Sequence, residues 1–179
     1  MMTSFTPTEA AALLDMPERQ VRKEVEYGLF STELNFPALV YLRALRTLGL
    51  TLGVEDRKRV FVVLVDAVQR DSPTAEVSTV VTLRVGPLVD EVRGHISRFC
   101  RWRDGLTRDR SVLGGEPVFP KSRLSVRHIG GMLERGAPPA EIKEDYPYLS
   151  DEDLEFAVLF VRAYPRVGRP RETRQTSDR

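Results

Sequence analysis

Proline, glycine and capping residues punctuate this chain so closely that its two ends can be built only from short helices. Thr6-Pro7-Thr8-Glu9 is a capping box: Thr6 caps, Pro7 suits the first helical position and Glu9 reaches back. Ala10, Ala11, Leu13 and Leu14 supply the buried side. Asp15-Met16-Pro17 breaks this helix and starts another, which turns Val21 and Val25 inward and ends near Gly28. A third helix begins at Pro37, carries Leu39, Val40, Leu42, Leu45 and Leu48 as its apolar stripe, and stops at Gly49. Short helices joined by a tight turn predict a helix-turn-helix unit over residues 1–54.

Residues 55–107 read as a central linking or dimerisation region. RVFVVLVDAVQR is rich in β-branched residues, which suits a strand, whereas its length and the acidic start Glu55-Asp56 favour a helix over residues 55–70. EVSTVVTLRV alternates, with Val77, Thr79, Val81, Leu83 and Val85 on one side, and predicts one strand. Gly86-Pro87 starts a helix carrying Leu88, Val89, Val92, Ile96 and Phe99 at helical spacing. Self-association and simple connection are equally good readings of this region. The whole chain is expected to be mainly α with small β elements.

GGEPVFPKSR, Gly114 to Arg123, looks at first like a phosphate loop. A Walker loop ends in Gly-Lys-Ser/Thr, but here Lys121-Ser122 follows Pro120, which has no N–H to donate. The three spaced glycines of a dinucleotide site are missing too. The glycines instead permit a tight turn, and Pro117-Val118-Phe119-Pro120 is a short extended piece. Arg123 and Arg127 are left as candidates for phosphate or partner contact. Three short helices follow. Ser125 caps the first, which buries Val126, Ile129 and Leu133 and ends at Gly136. Pro138-Pro139 opens the second, which buries Ile142. Ser150-Asp151-Glu152-Asp153 starts the third, which buries Leu154, Ala157, Val158 and Val161 and ends at Pro165.

The order GGEPVF, SRLSV, LERGAPPAEI, DYPYLSDEDLEFAV over residues 108–165 closely resembles the domain of unknown function 433. That resemblance implies a three-helix, homeodomain-like module of the kind found in VapB-type bacterial antitoxins. The family has Gly-Thr-Arg where this chain has Lys121-Ser122-Arg123. FTPTEAAALLDMPERQVRKEVEYGLF resembles a MerR-type or winged helix-turn-helix. Together the two ends resemble longer antitoxins, whose partners are PIN-like ribonuclease toxins encoded by the neighbouring gene.

The second helix would enter the major groove, with Arg19, Gln20, Arg22 and Lys23 suited to guanine, adenine and phosphate, and with Glu18, Glu24 and Glu26 set among them. In the C-terminal module, Asp151, Glu152, Asp153 and Glu155 crowd the helix that would read DNA by analogy, so dimerisation or toxin contact suits it better. Residues 166–179 read as a flexible basic tail. Its Arg166, Arg169, Arg171 and Arg174 would pair with the carboxylates of a nuclease site. A plain solubilising tail is the blander reading. Gly168-Arg169-Pro170 also resembles the core of a minor-groove hook.

Charge and composition bound these expectations. A formal net charge of +1 excludes coating nucleic acid by bulk charge, so contact must come from a local patch. Cys100 is the only cysteine, which removes disulfide frameworks and cysteine-based zinc sites within one chain and suits a cytoplasmic location. No apolar run has the length of a membrane span. His95 and His128 lack ligand spacing, and no acid/base pair or cofactor motif stands out, so an enzyme is not expected. The reading is an antitoxin that represses its own operon as a homodimer on operator DNA. The alternative is a stand-alone regulator with no toxin.

Overall fold

A computed structural model describes residues 4–49 and 51–166. Over them the chain is mainly helical, with eight α-helices and one two-stranded antiparallel sheet. Helix α1 (Pro7–Leu13) starts with the capping box foreseen: Thr6 Oγ1 accepts from Glu9 N, and the Glu9 carboxylate accepts from Thr6 N. Pro7, Ala10, Ala11, Ala12 and Leu13 are all buried, because the small alanines let neighbours approach α1 on several sides. Leu14 and Asp15 close the turn into α2 (Glu18–Glu26), with Asp15 in left-handed backbone at φ 46°.

Helix α3 (Phe36–Leu48) is capped by Asn35, whose Oδ1 accepts from Ala38 N at 3.1 Å, and it ends on Gly49 at φ 60°. Its residues Ala38 to Leu42 are all buried, so it is the central helix rather than a one-sided surface helix. Helix α4 (Val54–Gln69) settles the ambiguous stretch as helix; Val60 and Leu64, one helical turn apart, pack inward. The single strand expected over residues 76–85 is instead a hairpin, β1 (Thr74–Ser78) with β2 (Val81–Arg84), turned at Thr79-Val80. The alternation continued through the turn and concealed it. After reversal Val77 and Leu83 face the interior, while Thr79 and Val81 are exposed.

Helix α5 (Gly86–Gly105) runs beside α3 and α1, joined to α3 by a two-pronged ion pair: Arg43 Nε and Nη2 donate to Glu91 at 2.9 and 2.7 Å. The C-terminal unit comprises α6 (Val126–Glu134), α7 (Pro139–Asp145) and α8 (Asp151–Ala163). Ahead of it, Val118 bridges both Thr107 and Ser125, and Phe119 is buried. The turn after Phe119 places Lys121 in left-handed backbone at φ 58°. Helices α6 and α8 meet at Gly130, where a β-carbon would stand only 2.8 Å from Val161 Cγ1. On α8, Phe156 and Phe160 join Leu154 and Ala157 in the core, while the expected Val158 and Val161 are half-buried.

The apolar core is continuous across residues 54/55 and 107/108. Phe99 of α5 is its hub, with ring centroids 6.5 Å from Phe5, 6.3 Å from Phe156 and 6.3 Å from Tyr164. Tyr164, just past α8, donates to Glu9 at 2.7 Å and so ties the end of α8 to the capping box of α1. Its hydroxyl is pushed up to about 12 by burial, then by the bond and charge of Glu9.

Candidate nucleic-acid interface

Helix α2 is held from below by two residues. Val21 is fully buried, and so is Glu24, at 2% exposure. The sequence reading placed Glu24 among the basic residues of the exposed face. The structure turns it inward, where it accepts from Tyr41 Oη at 2.9 Å and pairs with Arg57 of α4. A carboxylate buried this deeply persists only with such partners. Burial, followed by the Glu24 charge, holds the Tyr41 hydroxyl far above its ordinary range, so it stays a donor. Glu24 is therefore a bolt between α2, α3 and α4, and its negative charge is compensated internally.

The outward side of α2 carries the predicted residues, but not all together. Arg19, Gln20 and Lys23 line one open cleft of about 930 Å³ between α2, the end of α3 and the start of α4. Arg22 does not line it. Its Nε donates to Glu18 one turn earlier at 2.7 Å, on an exposed flank. Among the described residues, the side chains of Arg19 and Gln20 make no hydrogen bond or ion pair. Lys23 only lies over the Tyr27 ring, 5.7 Å from its centroid.

The fold adds two cations that the sequence reading missed. Arg46 and Arg57 line the same cleft, although they come from other helices. Arg46 bonds Asp15 at 2.7 Å and also the Leu14 carbonyl; Arg57 bonds the Leu52 carbonyl and Glu24. The Arg46 hydrogen bond holds the Asp15 carboxyl below its ordinary value. Among the described residues Glu26 is the one exposed carboxylate lining the cleft, against Arg19, Lys23, Arg46 and Arg57. Only the position of Arg46 and Arg57 at helix ends, beside the loop linking α3 to α4, hinted at their role.

The C-terminal unit offers a different surface. Ser150 and Asp153 form a capping box, and Asp151, Glu152 and Asp153 fill the first turn of α8. The body of α8 lies against α6 and α1. Arg166, the one described residue of the four assigned to the tail contact, bonds Glu116 at 3.2 Å. Arg169, Arg171 and Arg174 lie outside the described residues. Residues 106–161 match the family described as protein of unknown function (DUF433). That match covers the C-terminal unit alone. No curated protein and no solved structure matches the chain. The DUF433 segment thus begins at the end of α5 and takes in α6, α7 and most of α8. Among the described residues no helix is long and apolar enough to cross a membrane, and no group of His, Cys, Asp or Glu is placed to hold a metal.

Proposed function

We propose that this chain is a DNA-binding repressor that serves as the antitoxin of a type II toxin–antitoxin pair. In this reading α2 contacts operator DNA, a homodimer matches operator symmetry, and the C-terminal module with its arginine-rich tail holds a PIN-like ribonuclease. The observation that carries the DNA half is the outward side of α2. Arg19, Gln20 and Lys23 stand on one cleft with no hydrogen-bonded or ionic side-chain partner among the described residues, on a helix anchored by Val21 and Glu24. Arginine and glutamine suit guanine and adenine edges, and lysine suits phosphate. The N-terminal sequence resembles a MerR-type or winged helix-turn-helix, and Phe5 pairs with Leu34 across that segment.

The toxin half rests on the resemblance to VapB-type antitoxins and on the composition of residues 166–179, where five arginines face one Glu and one Asp. Guanidiniums of such a segment pair with the carboxylates that gather around a nuclease metal. Val80 and Val81 at the hairpin tip, 88% and 44% exposed, support a self-associating central region. The bond of Arg166 to Glu116 favours the second reading, a regulator with no toxin, because it commits the first tail arginine to the module.

Footprinting on the DNA upstream of the gene tests the first half. The full chain protects a two-fold symmetric site, and Arg19→Ala/Gln20→Ala/Lys23→Ala abolishes protection while its circular dichroism is unchanged. Inducing the neighbouring reading frame tests the second half. Growth arrest that this chain relieves supports the antitoxin, whereas a harmless neighbour leaves the stand-alone regulator.

A further inference from the structure

The DUF433 segment carries a second basic surface, away from the acidic start of α8. An open groove of about 720 Å³ runs between the turn before α6, α6 itself and the residues after α8. Four guanidiniums line it: Arg123, Arg127, Arg135 and Arg166. Among the described residues, Glu116 is the only carboxylate that lines it. It pairs with Arg127 and with Arg166, at 3.2 Å each, and cannot neutralise both. Arg127 is further fixed by donating to the Tyr164 carbonyl at 2.6 Å and by lying over the Phe160 ring. It is a positioned guanidinium, not a waving surface charge. Arg123 and Arg135 are exposed and have no carboxylate within ion-pair distance among the described residues. The groove therefore holds a surplus of three positive charges before His128, also on its wall, is counted.

We infer that this groove is a binding surface for the phosphodiester backbone of nucleic acid. Three features select that ligand. The groove is open and lined by four guanidiniums, which suits a polyanion passing along it rather than an enclosed small molecule. Among the described residues its lining offers no Asn or Gln to read a base edge, so it positions a backbone without specifying sequence. Guanidiniums meet phosphate in two-pronged fashion. The tail that follows Arg166 is itself rich in arginine and is a poor occupant of a positive groove. The module thus contacts nucleic acid beside α6 and not through α8. This assignment uses residues separate from those on α2 and stands or falls independently of them.

The test measures binding of the full chain to a labelled duplex of random sequence by fluorescence anisotropy across a salt series. Arg123→Ala/Arg135→Ala changes two exposed side chains without ion partners, and its melting temperature is compared with that of the wild type to establish folding. The inference expects the slope of log K against log[salt] to fall in magnitude by about two, one for each lost phosphate contact. Arg19→Ala/Lys23→Ala serves as the parallel arm. A groove variant with the wild-type slope, while the α2 variant loses slope, overturns the groove and leaves the α2 reading intact. A flattened slope for the groove variant alone keeps the groove and removes the α2 reading. Unchanged DNA binding with lost binding to a polyglutamate peptide overturns the inference in favour of an acidic protein partner.

Discussion

Helices α2 and α8 each belong to a unit of short helices, yet they use their charges in opposite ways. Helix α2 buries only Val21 and Glu24 and leaves Arg19, Gln20 and Lys23 facing outward. Helix α8 buries Leu154, Phe156, Ala157, Phe160 and Ala163, lies between α6 and α1, and opens on three acidic residues. A helix that enters a nucleic-acid groove must be anchored along one narrow stripe, with its remaining surface free and not negative. Only α2 meets both conditions. Similar local architecture therefore does not give similar surfaces; the placement of charge relative to the core decides them.

The largest effect expected from breaking this arrangement is at the buried carboxylate. Glu24→Ala strands Arg57 and the Tyr41 hydroxyl and should cost about 3 kcal/mol in urea denaturation. Glu18→Ala, which removes a more exposed partner from the same helix, should cost under about 0.5 kcal/mol. Equal costs would mean that Glu24 is not the anchor of α2. Gly130→Ala attacks the other region, forcing α6 away from Ala157 and Val161, and should cost about 2 kcal/mol. Thermal denaturation of that variant checks how firmly α8 is held.

Tyr164→Phe cuts the tie between the end of α8 and Glu9 and should cost about 1 kcal/mol at neutral pH. It also carries a pH signature. The folded hydroxyl is raised from 10 to about 12, so its stabilisation is complete below pH 10 and is lost as pH rises through 12. The wild type should therefore lose stability across that window more steeply than the variant. Parallel curves would show that Glu9 does not hold this hydroxyl. The smallest effect is a gain. Lys121 sits at φ 58°, where glycine is free of β-carbon strain, so Lys121→Gly should raise stability by about 0.5 kcal/mol in a melting experiment.

Elements set by local chemistry were legible in the sequence. The capping box at Thr6, the helix start at Ser150, the glycine stop at Gly49 and the helix after Gly86-Pro87 depend on neighbours along the chain, and all are present. The features that tertiary contacts decide were not. Nothing beside Glu24 announces that Tyr41 and Arg57 will come to it from positions 17 and 33 residues away. Arg46 and Arg57 reach the α2 cleft by the same long-range folding. The hairpin at Thr79-Val80 escaped because its turn preserves the alternation that signals one continuous strand. Of the assigned site residues, Arg19, Gln20 and Lys23 were found on one surface, Arg22 was drawn off by Glu18, and Arg166 was drawn to Glu116.

The most direct measurement sets the two helices against each other on one DNA. Affinity for a duplex taken from upstream of the gene would be measured at fixed salt for the wild type, for Arg19→Ala/Lys23→Ala, and for Asp151→Asn/Glu152→Gln. The α2 variant should bind at least about tenfold more weakly, the equivalent of about 1.4 kcal/mol, and the α8 variant should bind like the wild type. Full affinity in the α2 variant, with altered affinity in the α8 variant, would contradict that expectation.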